Sequence, residues 1–465
     1  MVKHRIEWDS MGETLVPDHV YWGAQTARSL QIFDINCHDR MPKEMIISLL
    51  QIKKFVAKTN LQLGILEKDK AQLIDKAIIK ILAQDEQYMQ DNFPLLIWQT
   101  GSGTQTNMNI NEVIANTAIE LSGGIKGSKN PIHPNDHVNK SQSSNDVFPT
   151  AMHLVAYSML QELIEVIDDF IIILVSKINE FTDIIKIGRT HLQDAVALSL
   201  GQEFSAYLYQ LQMCYKQLKI VAKYFLNLPI GGTAIGTGLN TQPGFDSTFV
   251  NLLNDSALYK DKFKVAINKF ALIAAHDHFV SASSAVKTLA VALTKMANDI
   301  RWLASGPRCG LGELTLPANE PGSSIMPGKV NPTLCEALTM ICAQVIGNDS
   351  AITFACSQGH LELNTFKPVI IHNLTHSIAL VRDICKSFSK NCLQGITANK
   401  EIIQQYVDRS LMLVTALTPY IGYDKATKIA KYALENNTTL KKAAIELQFL
   451  TEKQFDEWIQ VENMI

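Results

Sequence analysis

Two serines, a lysine and an asparagine lie close together in the segment from Gly322 to Pro332, which reads GSSIMPGKVNP. Asn331 can cap the helical pattern that follows, and Pro332 suits its first turn, so Lys329 should lie near the positive end of a helix dipole. Such a place favours a bound carboxylate. Gly322 and Gly328 give the segment the freedom that a lid over a site requires. A mobile surface loop would explain the glycines but not the hydroxyls and the lysine together.

Two further polar segments lie ahead of helical patterns. Segment 99–107 (QTGSGTQTN) places the hydroxyls of Ser102 and Thr104 beside the free N–H groups of a helix start, and these groups together make an anion site. Segment 133–146 contains HPNDH and then SQSSND. N-capping explains one or two residues of the first segment but not the whole run, although each residue taken singly is more often a cap than a ligand.

A fourth polar segment, 188–195 (GRTHLQDA), contains a histidine. A lone histidine is more often structural than catalytic, but the neighbours of His191 are a hydroxyl, a cation and a carboxylate. Imidazole suits proton transfer near neutral pH. Segment 231–238 (GGTAIGTG) has the glycine density of a dinucleotide motif, yet it lacks the surrounding strand–helix unit, so it is a poor candidate for such a site.

The composition excludes several classes of protein. The apolar fraction is 47% and the net charge is −3, so the chain can bury a large core and has no basic surface for nucleic acid. Eight cysteines without a CxxC pair indicate reduced thiols rather than a metal or disulfide framework. The start of the chain lacks an apolar signal core, and the longest apolar run, 170–175, is too short to span a bilayer. We therefore expect a soluble, cytoplasmic protein that binds neither nucleic acid nor membrane.

The elements that position these segments are predicted to be helices. Helical periodicity covers four segments: 110–121, 149–181, 265–303 and 332–352. Gly123 and Gly124 stop the first. Strands are expected only around 186–187 and at the start of the chain. Residues 170–174 are apolar all round, which is typical of a helix buried on every side, so we expect a homo-oligomer.

The loop GSSIMPGKVNP resembles that of the fumarase/aspartase superfamily. The resemblance extends over essentially the whole chain, through DSMG at 9–12, YWGAQT at 21–26, the run 98–116, HPND at 133–136, SQSSNDVFPTAMH at 141–153, GRTHLQDA at 188–195, WLASGPRCG at 302–310 and IGYDK at 421–425. These segments are similar to the class II fumarate hydratases, the iron-independent type. His191 after Thr190, where aspartases carry Gln, favours that family, as do QTGSGTQ and the Pro-Gly-Lys of the loop.

The resemblance implies a mainly α fold of three domains. A mixed, mostly helical N-terminal domain would cover 1–140, a central bundle of long helices 141–396, and a small helical C-terminal domain 397–465. Four central bundles would form the core of a homotetramer. Each active site would then be assembled from three chains, which explains why the polar segments are scattered along the sequence.

The resemblance also implies a reaction: reversible, stereospecific hydration of fumarate to L-malate, a step of the tricarboxylic acid cycle, through a carbanion (aci-carboxylate) intermediate and with no metal or other cofactor. Ser323 would be the base that takes the C3 proton, and His191, paired with Glu336, would handle the proton of the water or hydroxyl, although which of the two is the base in each direction stays open. The expected catalytic set comprises His191, Ser323, Glu336, Lys329 and Asn331. The expected substrate-binding set comprises Ser102, Gly103, Thr104, Ser143, Ser144, Asn145, Thr190, Ser324, Lys329, Val330 and Asn331. A second, non-catalytic anion site would comprise His133, Pro134, Asn135 and Asp136.

Two other functions remain open from the sequence. An aspartate ammonia-lyase, or another lyase of the superfamily, would use the same loop. A structural scaffold is the second, since a crystallin belongs to this superfamily, but the polar residues at the expected catalytic positions argue against it.

Overall fold

The computed structural model describes residues 3–259 and 262–465, and helices dominate it. The helices are α1 (Ala24–Ile32), α2 (Lys43–Gln62), α3 (Lys68–Leu82), α4 (Glu86–Asn92), α5 (Thr104–Leu121), α6 (Ser144–Glu180), α7 (Leu200–Ala222), α8 (Phe245–Asn254), α9 (Lys269–Ala274), α10 (Asp277–Leu303), α11 (Thr333–Cys356), α12 (Lys367–Asn391), α13 (Lys400–Arg409), α14 (Thr418–Ile421), α15 (Tyr423–Glu435), α16 (Leu440–Glu446) and α17 (Glu452–Trp458). The strands are β1 (His4–Asp9), β2 (Gly12–Pro17), β3 (Ile185–Thr190), β4 (Gln193–Ser199), β5 (Asn227–Leu228), β6 (Lys264–Val265), β7 (Leu314–Thr315), β8 (Gly359–His360), β9 (Leu363–Asn364) and β10 (Thr397–Ala398). The predicted mainly α fold is confirmed.

The chain divides into two compact units. The first comprises Met1–Ile164, Lys216–Thr288 and Gln344–Val381, and the second comprises Glu165–Tyr215, Leu289–Ala343 and Arg382–Ile465. The predicted three-domain boundaries, after 140 and after 396, stay a prediction.

In the first unit, the β1–β2 hairpin pairs His4 with Pro17, and α3 packs against α2 and α5. The apolar faces of these helices are fully buried, as at Ile74 and Val113. Helix α5 ends where Gly123, with a φ of 79°, donates its N–H to the carbonyl of Glu120 at 2.9 Å. The predicted glycine stop is confirmed, because this backbone conformation favours glycine.

The long helices agree with the predicted segments except in one place. The segment 265–303 was expected to form one helix, and this prediction is wrong. Helix α9 ends at Ala274, the backbone of Ala275 is extended at φ −133° and ψ 153°, and α10 begins at Asp277. The fully buried His276 lies at this junction. Periodicity alone did not reveal the break, because apolar residues lie on both sides of the short polar stretch 276–278.

The second unit carries the β3–β4 hairpin, in which Ile185 pairs with Ser199 and Thr190 with Gln193. Helix α13 packs against β3, and α15 and α16 form a core that includes the fully buried Leu417. This core supports the base of the hairpin. None of the helices in the described ranges is long and apolar enough to cross a bilayer.

Candidate active site

In the first unit, the start of α5 presents hydroxyl and amide groups together. Ser102 Oγ lies 2.8 Å from Thr104 Oγ1. Gln99 Oε1 accepts the N–H of Thr106 at 3.0 Å, while the N–H groups of Thr104 and Gln105 have no acceptor among the residues that the structure describes. Free N–H groups at the positive end of an 18-residue helix are suited to an anion, and the anion site at this helix start stays a prediction.

Gly103 must be glycine for two reasons. Its φ is +79°, in the left-handed region. A Cβ added there would lie 2.3 Å from the ring of Phe148. The backbone between Ser102 and Thr104 is therefore pressed against this ring, which fixes the two hydroxyls relative to each other.

The segment Ser143–Asn145 at the start of α6 is held by several hydrogen bonds. Ser144 Oγ accepts from Asn107 Nδ2 at 2.9 Å. Asn145 donates its side-chain N–H to the carbonyl of Ala234 at 2.8 Å and its backbone N–H to Ser143 Oγ at 3.2 Å. Because Asn107 lies on α5, this network joins the polar segments 99–107 and 133–146 within the first unit.

Asp146 anchors the same segment. Its buried carboxylate accepts the N–H groups of Ser143 at 2.9 Å, Gly231 at 2.9 Å and Thr233 at 3.0 Å. Burial raises the pKa of this carboxyl to about 6, while these hydrogen bonds and the charge of Lys53 oppose the rise. The glycine-rich segment 231–238, a poor candidate for a nucleotide site, thus supplies amide groups to the start of α6.

The predicted second anion site forms one short helical turn, Pro134–Val138. His133 Nδ1 accepts the N–H groups of Asn135 and Asp136, both at 3.1 Å. Burial lowers the pKa of His133, which suits a neutral imidazole that accepts hydrogen bonds. The amides that an anion would use are therefore bound to His133, and the site stays a prediction.

In the second unit, His191 lies at the tip of the β3–β4 hairpin. His191 and Leu192 form its two-residue turn, with φ values of 56° and 61°. Positive φ at both positions is what a type I′ turn requires, and residues other than glycine, asparagine and aspartate seldom adopt it. The turn leaves Thr190 and His191 exposed at the end of the strands.

A buried carboxylate secures the hairpin. Glu313, fully buried, lies 2.6 Å from Arg189 Nη1 and 3.1 Å from Lys186 Nζ. Lys186 also lies 2.9 Å from Glu203. Sequence reasoning noticed Arg189 only as a neighbour of His191 and missed Glu313, since an isolated glutamate gives no signal of a buried partner.

The two ends of the loop from Gly322 to Pro332 are joined by a backbone hydrogen bond. The N–H of Gly322 donates to the carbonyl of Lys329 at 2.8 Å, and a Cβ on Gly322 would lie 2.5 Å from that oxygen. Within the loop, Ser323 Oγ accepts the backbone N–H groups of Ile325 at 3.2 Å and Met326 at 3.0 Å. Close approach of two backbone segments thus explains Gly322, and the hydroxyl of Ser323 lies in a nest of amides.

The start of α11 differs from expectation by one residue. Pro332 accepts the first helical hydrogen bond, from the N–H of Glu336 at 3.1 Å, so Pro332 is the N-cap residue. Asn331 instead donates its side-chain N–H to the carbonyl of Gly322. The predicted capping by Asn331 is therefore wrong, because its amide closes the loop. Lys329, Ser324 and Val330 are exposed beside it.

One expected pair is not formed within the chain. Neither His191 nor Glu336 has a side-chain hydrogen bond or ion pair with any residue in 3–259 and 262–465, and both are exposed. Lys329 likewise makes no ion pair within these ranges.

All eight cysteines are free thiols. No group of three or more histidine, cysteine or acidic side chains in the described ranges is placed to hold a metal ion.

The chain resembles proteins of known activity over its full length. Residues 12–347 match the family described as lyase, and residues 413–465 match that described as the fumarase C C-terminus. The chain is 56% identical to the class II fumarate hydratase of Thermosynechococcus vestitus over 462 residues, which cover 99% of this chain and 98% of that protein. It is 53% identical to the mitochondrial fumarate hydratase of Rattus norvegicus over 463 residues, 99% of this chain and 90% of that protein. Among solved structures, recombinant class II fumarase from Schistosoma mansoni matches with a TM-score of 0.94 and 45% identity, covering 99% of both chains.

Proposed function

Because the chain belongs to the class II fumarate hydratase family, we propose that Ser323 and His191 carry the proton transfers by which it interconverts fumarate and L-malate. Hydration joins water to the double bond between two carboxylates. In the reverse direction, the C3 proton of malate leaves and its electron pair moves onto the adjacent carboxylate. The C2 hydroxyl then leaves as water after it accepts a proton. Stabilising the aci-carboxylate is chiefly an electrostatic task.

The observation that carries the proposal is the environment of Ser323. Its Oγ accepts two backbone N–H groups, from Ile325 and Met326. An unassisted serine hydroxyl is far too weak an acid to serve as a base, so its alkoxide must be stabilised. Two amide donors would supply that stabilisation in the manner of an oxyanion hole, and Lys329 on the same loop would add a positive charge.

The two substrate carboxylates are proposed to bind at the helix starts. Free N–H groups at α5, with Ser102 and Thr104, would bind one carboxylate. Ser143, Ser144 and Asn145 would add hydroxyl and amide donors. Thr190, Ser324, Lys329, Val330 and Asn331 would complete the binding set, with Lys329 as its cation.

His191 is proposed to act with Glu336 of another chain. Both side chains are without partners in the described part of their own chain, so a pair between them requires a second copy. Ile172 on α6 and Phe354 on α11 are 64% and 62% exposed, as expected for surfaces that further copies cover. We therefore propose a homotetramer with active sites shared between chains.

We also infer that the enzyme works in a reducing compartment such as the cytoplasm. Its eight cysteines are all free thiols, as is usual there. Cell fractionation with an antibody against the protein would test this.

Ser323→Ala tests the base directly, and Ser324→Ala is its matched control. Loss of a proton-transfer group lowers kcat by about 10²–10⁴-fold, so the first variant should be nearly inactive while it keeps its oligomeric state. It should also fail to exchange the C3 proton of malate with deuterated water. The second variant should mainly raise KM. A Ser323→Ala enzyme with near-normal kcat would contradict the proposed base.

A further inference from the structure

A buried ammonium group lies next to the proposed substrate segment Ser143–Asn145 and has no place in the mechanism above. Lys53, in the middle of α2, is 1% exposed. Its Nζ donates to Asn139 Oδ1 at 3.0 Å and to Gln142 Oε1 at 2.8 Å. Burying an ammonium group costs free energy unless hydrogen-bond acceptors compensate it. The two acceptors of Lys53 indicate that its polar head, and not only its apolar stem, has a role at this position.

Two amide side chains connect Lys53 to a substrate residue. Asn139 Oδ1, which accepts from Lys53, also accepts from Asn107 Nδ2 at 3.1 Å and from Asn111 Nδ2 at 3.1 Å. The same nitrogen of Asn107 donates to Ser144 Oγ at 2.9 Å. With its oxygen bound to Asn107, the Ser144 hydroxyl keeps its own proton free for an anion. Lys53 thus fixes the acceptor on which the orientation of Asn107 depends.

Asp146 supplies the balancing charge. Burial lowers the pKa of Lys53 to about 7, and the negative charge of Asp146 opposes that fall. The carboxylate of Asp146 binds the N–H of Ser143 at the other end of the same segment. Two buried, opposite charges therefore hold the segment from both sides.

Ser143 of this segment lines a cavity, and Ser144, the next residue, is 8% exposed behind it. Asn139, Gln142 and Ser143 line a cavity of about 770 Å³ together with Asn135 and Thr233. A small dicarboxylate entering it would meet Ser143 and the Asn139 and Gln142 side chains that Lys53 binds.

We propose that Lys53 is a positioning residue for the substrate: through Asn139 and Asn107 it holds the oxygen of Ser144 and leaves the proton of that hydroxyl free for a carboxylate. This inference rests on the proposed role of Ser143–Asn145 in substrate binding. The competing view is that Lys53 only joins α2 to residues 139–142 and contributes to stability alone.

Lys53→Met distinguishes the two views, because it keeps the length of the side chain and removes its charge and its donors. The matched control is Lys54→Met on the same helix, which removes a partly exposed lysine 3.6 Å from Asp75. The readout is the inhibition constant of succinate, a saturated dicarboxylate that cannot react, together with KM and kcat. In the full oligomer, Lys53→Met should raise the inhibition constant and KM by about tenfold or more, with kcat changed less, and Lys54→Met should change neither. If the methionine variant does not fold, Lys53→Gln, which keeps an amide donor, carries the same test.

A double-mutant cycle of Lys53→Met with Ser144→Ala distinguishes a failure of the proposed role of Lys53 from a failure of the proposed substrate site. If Lys53 acts through Ser144, the effects of the two substitutions on the inhibition constant will not add. A raised constant in Ser144→Ala with an unchanged constant in Lys53→Met, even if the melting temperature falls, would overturn the role of Lys53 and leave the site standing. An unchanged constant in Ser144→Ala would remove Ser144 from the site, and the inference with it.

Discussion

Arg189, two residues before His191 in the chain, places its Nη1 2.6 Å from the fully buried carboxylate of Glu313. Replacing Glu313 by Gln would leave Arg189 and Lys186 without this counterion. Breaking a buried ion pair from one side costs about 3–5 kcal/mol. We expect Glu313→Gln to lower the free energy of unfolding by that order and kcat by about tenfold, because the hairpin that carries His191 loosens.

Glu203→Gln is the control for this experiment. Glu203 lies 2.9 Å from Lys186, but its side chain is 24% exposed. Partly solvated pairs contribute about 1 kcal/mol or less, so the effect should be small. Urea unfolding and steady-state kinetics measure both variants. Equal effects of the two substitutions would show that burial of Glu313 is not what secures the hairpin.

Gly103→Ala should damage the substrate site more than a positive φ alone explains. The φ strain costs about 1–2 kcal/mol, and the overlap with Phe148 about 1–3 kcal/mol more. Gly123→Ala is matched, because Gly123 has the same φ of +79° and nothing within 4 Å of an added Cβ. Gly103→Ala should therefore unfold at a lower urea concentration than Gly123→Ala, and its KM should be higher than that of Gly123→Ala. Identical behaviour of the two variants would contradict the contact with Phe148.

The stability should depend on pH through Glu112. Burial raises the pKa of this carboxyl from 4.5 to about 7, although Thr26 and the N–H groups of Gly23 and Gln25 donate hydrogen bonds to it. The folded state therefore binds more protons than the unfolded state between these values, so this contribution to stability falls as pH rises through the window. The full effect is on the order of 3 kcal/mol.

Glu112→Gln should remove that part of the dependence, and Glu120→Gln on the same helix should not. The pKa of Glu120 is lowered, by Lys80 and Tyr21, although burial opposes them. Unfolding in urea at pH 5 and pH 8 compares the variants with the parent. An unchanged difference between the two pH values in Glu112→Gln would contradict the raised pKa.

Shared active sites predict complementation between inactive variants. His191→Ala and Ser323→Ala tetramers should each lack activity. If these residues reach one site from different chains, subunits mixed and reassembled at equal amounts should restore roughly a quarter of the sites by random assortment. Absence of recovery in hybrids confirmed by native mass spectrometry would place both residues of a site on one chain.

The sequence predicted the elements with strong local patterns. The helical periods predicted α5, α6 and α11, each to within one residue at one end and within about six residues at the other, and the apolar stretch near Lys186 predicted a strand of the hairpin. The polar segments were recognisable because runs of hydroxyls and glycines at helix starts are unusual. Helical periods and polar segments of this kind are set by residues close together in the chain, so they can be recognised from the sequence alone.

The supports of the site were not predictable in this way. Lys53 and Asp146 are 85 or more residues from several of their partners, and a charged residue within a helix usually belongs to a solvated face. Glu313 pairs with a residue 124 positions away. The interruption between α9 and α10 lies at the extended Ala275 and the fully buried His276. Each of these needs the folded chain, because the partner that decides the outcome is remote in sequence.

The most direct test of the central claim is the ultraviolet absorbance of the purified, chelator-treated protein mixed separately with L-malate and with L-aspartate. The proposed chemistry needs only protein groups, so fumarate should form from L-malate after chelation and not from L-aspartate. Formation of fumarate from L-aspartate would assign the protein to the ammonia-lyases and give His191 another role. Loss of the malate reaction on chelation would contradict proton transfer by Ser323 and His191 without a metal.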